Sequence, residues 1–326
     1  MKILLTGGAG YVGSACLRYL AANGHDVMAY DSLAMGHSDA VGDLPLVQGD
    51  IADTDKLTTA LKDFGADAVM HFAAATYVGE SVEDPNYHYG NNVEGTRSLL
   101  NAMRAADVKR LVFSSTCATY GMTDSETMSE TTPQDPASPY ARTKLSVEWM
   151  IRDFAHAYGM GFTILRYFNA SGADPDGQHG EDHRPENHLI PLILQVALGQ
   201  RDKITVFGTD YPTPDGTCIR DYVHTQDLAA AHLKAIEATD VDTQGVFNIG
   251  TGSGQSVFDI IKTCEEVTGK SIAMEIGARR PGDPPRLVAD PKKIKSELDW
   301  TPQYDIRQTI ETAWKWHSTN PNGYSA

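Results

Sequence analysis

Short apolar runs alternate with amphipathic stretches through the first half of the chain. Residues 2–6, 26–30, 46–48, 68–72, 110–114 and 161–166 read as strands. Between them, residues 12–22, 55–64, 92–105 and 139–158 place apolar side chains at helical spacing. Strands separated by helices of this length predict an α/β fold, a doubly wound parallel sheet of Rossmann type. Right-handed crossovers would bring the carboxyl ends of these strands to one edge, where ligands bind in such sheets. The opening run MKILL stops at Thr6-Gly7-Gly8. That is too short for the apolar region of a signal peptide, so it reads as a first strand.

After about Phe168 the texture changes. Loops rich in Gly, Pro, Asp and His (172–188, 208–217, 277–285) separate helical patterns at 188–198, 225–238, 256–268 and 306–317. This predicts a dinucleotide-binding domain over 1–168 and a smaller C-terminal substrate lobe over 169–326. The boundary is soft, because strands near Thr205 and Phe247 could rejoin the main sheet.

Charge narrows the functional classes. Lys and Arg number 27 against 43 Asp and Glu, a net charge of −16 over 326 residues. That excess argues against a nucleic-acid binder or a protein of anionic membrane surfaces, since both need a positive field. No apolar run reaches the eighteen or so residues of a spanning helix. Cys16, Cys117, Cys218 and Cys264 lie far apart with no C-x-x-C. Such spacing fits reduced thiols in a cytoplasm, and no metal site is expected.

Gly7-Gly8-Ala9-Gly10-Tyr11-Val12-Gly13 follows the first strand and opens the first helix. Glycines there permit a tight turn, close approach of a pyrophosphate and close helix–strand packing. The helix N-terminus offers free N–H groups and partial positive charge to phosphates. Asp31 closes the next strand about twenty residues on, where an acid bonds a ribose 2′-hydroxyl. It would repel a 2′-phosphate, which favours NAD over NADP. Asp50 and Ile51 are either an adenine contact or an ordinary loop pair. Phe72-Ala73-Ala74 puts small residues where a cofactor must pass. Asn92 is either a helix-start residue or a contact near the nicotinamide ribose.

Tyr140 and Lys144 stand four apart in a helix that starts at Pro139, so they share a face. A cation beside a phenol stabilises its ionised form and would bring its pKa down from about 10, making a general acid and base. With 14 Tyr in the chain, Y-x-x-x-K alone is weak. Its position gives it weight: it follows a fifth strand ending in Ser114-Ser115-Thr116. Thr116 is either a turn cap or a hydroxyl for the substrate oxygen.

The glycine turn, the Thr after the fifth strand and Y-x-x-x-K together resemble the extended short-chain dehydrogenase/reductase family. The stretches LLTGGAGYVGS, HFAAATYVGESVEDP, NNVEGT, SSTCATYG, SPYARTKLSVE, LRYFNASGADPDGQHGED, FGTDYPTPDGTCIRDYVH and ARRPGDPPRLVAD are similar to its nucleotide-sugar 4-epimerases from end to end. The resemblance implies reversible hydride transfer from C4 of a UDP-sugar to tightly held NAD, through a 4-ketone that turns over in the pocket. Tyr140 would carry the proton, Lys144 would orient the nicotinamide ribose, and Thr116 would bond the 4-oxygen. Dinucleotide contacts are implied for Gly7, Gly10, Tyr11, Val12 and Gly13, then Asp31, Ser32, Leu33, Asp50 and Ile51. They continue through Phe72, Ala73, Ala74, Thr76, Asn92, Ser114, Tyr167 and Phe168. UDP-sugar contacts are implied for Asn169, His188, Leu189, Thr205, Val206 and Phe207, with Arg220, Tyr222, Arg280, Asp283 and Leu287.

Two arginines from distant loops can clamp a pyrophosphate with charge-assisted bonds, which is how an acidic chain binds an anion locally. Thr76 replaces a Lys found near the cofactor phosphates in some relatives, and His188 stands where some have an Asn. Leu287 aligns with a position whose bulk limits the sugar 2-substituent, so N-acetylated UDP-sugars are also expected as substrates. The alternatives are 4-epimerases of UDP-xylose, UDP-arabinose or UDP-glucuronate, and a non-catalytic NAD-binding regulator. Relatives are commonly homodimers joined through two helices each, and residues 92–105 and 139–158 would supply such a bundle here.

Overall fold

The computed structural model describes residues 1–123, 125–280 and 282–324. Its centre is a parallel sheet of seven strands: β1 (Lys2–Thr6), β2 (Asp26–Asp31), β3 (Leu46–Gln48), β4 (Ala68–His71), β5 (Arg110–Thr116), β6 (Gly161–Tyr167) and, from far along the chain, β10 (Gln244–Ile249). Their order is β10-β6-β5-β4-β1-β2-β3. Order reverses between β1 and β4, which opens a crevice at the carboxyl ends of those two strands.

Alternation along each strand splits the core in two. Ile3 and Leu5 face one layer with Cys16, Leu17 and Leu20 of α1 (Tyr11–Ala22). Leu4 faces the other, with Leu57 and Leu61 of the helix Thr54–Phe64. Met70 and Val112 join the first layer, and Val69, Leu111 and Phe113 the second. Strands buried on both faces are what doubly wound sheets require.

Helices fill the two layers in chain order: α2 (Ser38–Val41), α3 (Thr54–Phe64), α4 (Val78–Glu83), α5 (Pro85–Tyr89), α6 (Gly95–Ala105) and α7 (Pro139–Tyr158). Residues 92–105 are helical throughout, as expected, but not uniformly α-helical. A π-helical turn, Gly90–Glu94, precedes α6, and a Cβ on Gly95 would lie 2.7 Å from Ile51 Cδ1. The patterning does not reveal α4 and α5, which are too short to repeat an apolar face.

The second half builds a lobe beside this sheet. It comprises β7 (Asn169–Ser171), α8 (Leu189–Ala197), β8 (Ile204–Phe207), β9 (Ile219–His224) and α9 (Thr225–Ala238), then β11 (Gly254–Ser256), α10 (Val257–Thr268), β12 (Met274–Gly277), β13 (Arg286–Leu287), α11 (Lys292–Leu298) and α12 (Ile306–Thr319). The strand at Phe247 is β10, which rejoins the main sheet, with α9 packed on α1. The strand at Thr205 is β8, which pairs with β12 away from it. β9 pairs with β7, β11 and β13, above a core of Ile190, Leu194, Val206, Ile260 and Ile310.

Candidate active site

The glycine turn sits between β1 and α1 at the crevice. Gly7 takes φ +72°, and a Cβ on Gly13 would stand 2.0 Å from the Gly7 oxygen. Only hydrogen fits at either position, so helix and strand close tightly. α1 starts at Gly10 with no side-chain cap and no acid in its first turn, leaving its amides to an external anion. Asp31 ends β2, buried. Its carboxylate accepts from Ala9 N at 3.0 Å and Leu33 N at 2.8 Å, fixing it against the turn. Leu33 adopts φ +60° and Ser32 is exposed. These features fit NAD: free helix-N-terminal amides for phosphates and an acid aimed where a ribose hydroxyl would lie.

Further along the edge the placements diverge from expectation. Asp50 is exposed, and Ile51 is buried in the core with Leu57 and Val69. Asn92 is no helix start and has no spare hydrogen-bonding capacity. Its Nδ2 donates to Ala75 O (3.0 Å) and Thr143 Oγ1 (2.9 Å), while its Oδ1 accepts from Ala75 N (2.8 Å). It braces the loop after β4 against α7. Phe72, Ala73 and Ala74 are partly buried, and Ala73 N lies 2.5 Å from where a Gly7 Cβ would be. Thr76 is exposed.

α7 opens with Ser138 capping Ala141 N and Pro139 in its first turn, which sets Tyr140 at the mouth. Lys144 is buried and donates from Nζ to Ser114 O at 2.9 Å. Burial pushes its pKa down to about 7. The expected effect of Lys144 on Tyr140 does not prevail. Burial raises the phenol to about 12, and what pulls it back is the side chain of Thr116. Thr116 is also the turn cap, accepting from Ala118 N at 3.1 Å at the head of the 3-10 turn Cys117–Tyr120. Capping uses its oxygen as acceptor, so the hydroxyl proton is left for the phenol oxygen of Tyr140, or for a ligand oxygen that takes its place.

Several supporting residues escaped the sequence reading. Glu148, one turn beyond Lys144, accepts from Ser115 Oγ (2.6 Å) and from Arg166 Nε and Nη2 (2.9 and 2.6 Å). Arg166 Nη1 donates to Tyr120 Oη, which donates to Asn248 Oδ1 at 2.6 Å. An Arg inside the apolar strand FTILRYF was the available signal, because a buried charge needs a partner. Behind Lys144, His71 accepts from Thr6 Oγ1 and donates from Nε2 to Thr96 Oγ1, whose own proton goes to Asn92 O. Tyr167 donates to His232 Nε2, whose Nδ1 donates to Leu228 O.

On the lobe side, Arg220 pairs with Asp283, and Arg280 lies over the Phe207 ring at 4.1 Å. Arg280, Asp283, Tyr211 and Met122 line a cleft of about 440 Å³. Leu287 is buried against Cys117 and Phe168 and pairs in register with Arg220, so it spans from the Thr116 turn to the arginine. Asn169 is opposite Tyr222, which is buried. Val206 belongs to the lobe core, while Thr205 shares the other face of β8 with Phe207 and donates its hydroxyl to Glu275 at 3.0 Å. His188 precedes α8 and Leu189, and its Nδ1 lies against Glu181 and Glu186.

The model of the NAD dependent epimerase/dehydratase family matches residues 3–250. A UDP-glucose 4-epimerase of Halalkalibacterium halodurans is 49% identical over 100% of this chain and 98% of its own length. A UDP-glucose 4-epimerase of Brucella ovis, solved in complex with NAD, superposes with a TM-score of 0.92 at 46% identity, covering 95% of this chain and 96% of that one. That of Bifidobacterium longum, in complex with NAD+ and UDP, gives 0.95 at 35% identity, covering 99% and 100%.

Proposed function

The chain belongs to the NAD dependent epimerase/dehydratase family, and on that footing we propose that it interconverts UDP-galactose and UDP-glucose by reversible oxidation at C4 with NAD as cofactor. The observation that carries this reading is the meeting of Thr116, Tyr140 and Lys144 at the carboxyl end of β5, beside the crevice that the glycine turn opens.

Tyr140 takes the proton from the sugar 4-hydroxyl and returns it after the ketone has turned. Thr116 donates its free proton to the 4-oxygen, which fixes that oxygen against the phenol. Lys144, held by the Ser114 carbonyl, presents its remaining N–H groups toward the cofactor ribose. The amides of Gly10 to Gly13 and the Asp31 carboxylate hold the dinucleotide. When bound, NAD supplies the hydride acceptor and donor for C4 and, on its oxidised ring, a positive charge that favours the ionised phenol. Arg220 and Arg280 clamp the UDP diphosphate, with Phe207, Asn169 and Asp283 around the nucleoside. Holding ketone and reduced cofactor together gives the return step its proximity advantage.

Half of the exposed large apolar side chains cluster on α4, α5 and α7: Val78, Val82, Tyr87, Tyr89, Trp149 and Tyr158. That concentration supports a homodimer whose interface includes α7, one of the two helices expected to supply the bundle. The four unpaired cysteines support a cytoplasmic setting rather than secretion, and the proposed substrate would place the reaction in galactose metabolism. Among the described residues, no helix is long and apolar enough to cross a membrane. The test is a coupled assay that follows UDP-galactose conversion to UDP-glucose by the purified chain without added NAD. Steady turnover is expected; none, even with NAD supplied, would refute the reading.

A further inference from the structure

The segment between β7 and α8 gathers four ligating side chains in eight residues, spaced Glu181-x-His183-x-x-Glu186-x-His188. One donor atom from each lies within 4.8 Å of the others. The pairs measure 3.1 Å (His183 Nδ1 to Glu181), 3.8 Å (His183 Nδ1 to Glu186), 2.8 Å (His188 Nδ1 to Glu181) and 2.9 Å (His188 Nδ1 to Glu186).

We propose that this quartet is a structural zinc site, holding one divalent ion between two imidazole nitrogens and two carboxylates. The spacing fits the ion. Zinc binds His nitrogen and carboxylate oxygen at roughly 2.0–2.2 Å in a tetrahedron, which places ligand atoms roughly 3.3 Å apart. The observed separations bracket that value, so small side-chain shifts complete the shell. The chemistry fits as well. Two imidazoles select a borderline transition metal over calcium or magnesium, which favour all-oxygen shells. Two carboxylates neutralise the ion. Glu181 is 4% exposed, and a carboxylate buried that far needs a positive partner. On binding, each Nδ1 lone pair forms the metal bond and any proton it carried leaves to solvent.

Four protein ligands leave no open position, which is the mark of a structural site rather than a hydrolytic one. Its place explains what it would hold. Tyr77 donates to Pro185 O at 3.0 Å, and Tyr11 of the glycine turn donates to Gly172 O at the head of the same segment. The Tyr11 and His183 rings meet edge-on at 6.0 Å. An ion here would tie the dinucleotide turn to the entry of α8 and Leu189. Cysteine spacing excludes a thiolate site, but the His/Glu spacing is a separate signal, and this inference stands whether or not the epimerase reading does.

The test uses the full chain, purified without chelator and assayed by elemental analysis. After chelation it is titrated with Zn²⁺ and separately with Co²⁺, whose visible spectrum reports coordination geometry. The expected result is one ion per chain, a tetrahedral cobalt spectrum, and loss of both in His183→Ala. Glu181→Gln is the harsher variant, because its buried amide could unfold the loop; the more exposed His183 keeps the test interpretable. Absence of stoichiometric Zn²⁺ and Co²⁺ binding would show that the quartet is closed by protons alone and overturn the proposal. So would an octahedral spectrum, or equal binding in His183→Ala.

Discussion

Asn92 Nδ2 donates to Thr143 Oγ1 at 2.9 Å, and Thr143 passes its own proton to Tyr140 O at 2.7 Å. One carboxamide thus ties the loop after β4 to the first turn of the helix that carries Tyr140. Asn92→Ala would remove the donor to the buried Thr143 hydroxyl and leave both backbone groups of Ala75 without their partner. A stability loss of about 2–3 kcal/mol in urea unfolding is expected, with a parallel drop in turnover. Unchanged stability would mean the bracket carries no weight.

The glycine turn makes a second prediction. In Gly13→Ala the new methyl meets the Gly7 oxygen, and the turn must open. Loss of copurified dinucleotide and a destabilisation of about 1–3 kcal/mol are expected, read by absorbance and thermal unfolding. Gly79→Ala is the control: nothing lies within 4 Å of its Cβ, so both readings should stay near wild type.

Buried histidines set the acid limit of stability. Burial pushes His71 and His224 down to about 3 and His232 down to about 4. Each stays neutral in the folded chain while its unfolded counterpart takes a proton below about 6.5. The unfolded state therefore binds more protons as pH falls, and stability declines from about pH 6.5 toward 4. Each histidine adds a slope of up to about 1.4 kcal/mol per pH unit. Unfolding free energies flat between pH 6.5 and 4.5 would contradict this.

In the proposed reading Leu287 would limit the room beside the sugar. It packs on Cys117 and Phe168, next to Thr116. Turnover of UDP-N-acetylglucosamine is expected from the wild-type chain. Leu287→Tyr should reduce it at least about tenfold more than turnover of UDP-galactose, the scale of a one-group steric discrimination. No turnover of the N-acetyl sugar above background would reject the assignment.

The sheet was legible because its strands are buried on both faces and its helices on one, a pattern the sequence carries directly. Lys2–Thr6, Leu46–Gln48, Pro139–Tyr158 and Thr225–Ala238 run as the patterning predicts. The strand ends were not: β5 and β6 continue through the polar Ser115-Thr116 and Tyr167, held by pairing with each other. The elements that carry Thr116, Tyr140 and Lys144 were legible, but not the energetics of these side chains. Lys144 turns to a backbone carbonyl, which a helical wheel cannot show, and burial then governs Tyr140. The packing of Asn92 and Ile51 was not legible, because their partners, Thr143 and Gly95, lie on other elements. Glu148 and Arg166 find each other across 18 positions, through packing alone.

The central claim is that Tyr140 carries the proton of the 4-hydroxyl. Tyr140→Phe removes one oxygen from the mouth of α7 and leaves the glycine turn, Asp31 and both arginines in place. Measured without added cofactor, its UDP-galactose turnover should fall roughly 10²- to 10⁴-fold, while bound dinucleotide stays at the wild-type level. Near-normal turnover with the dinucleotide retained would contradict the account.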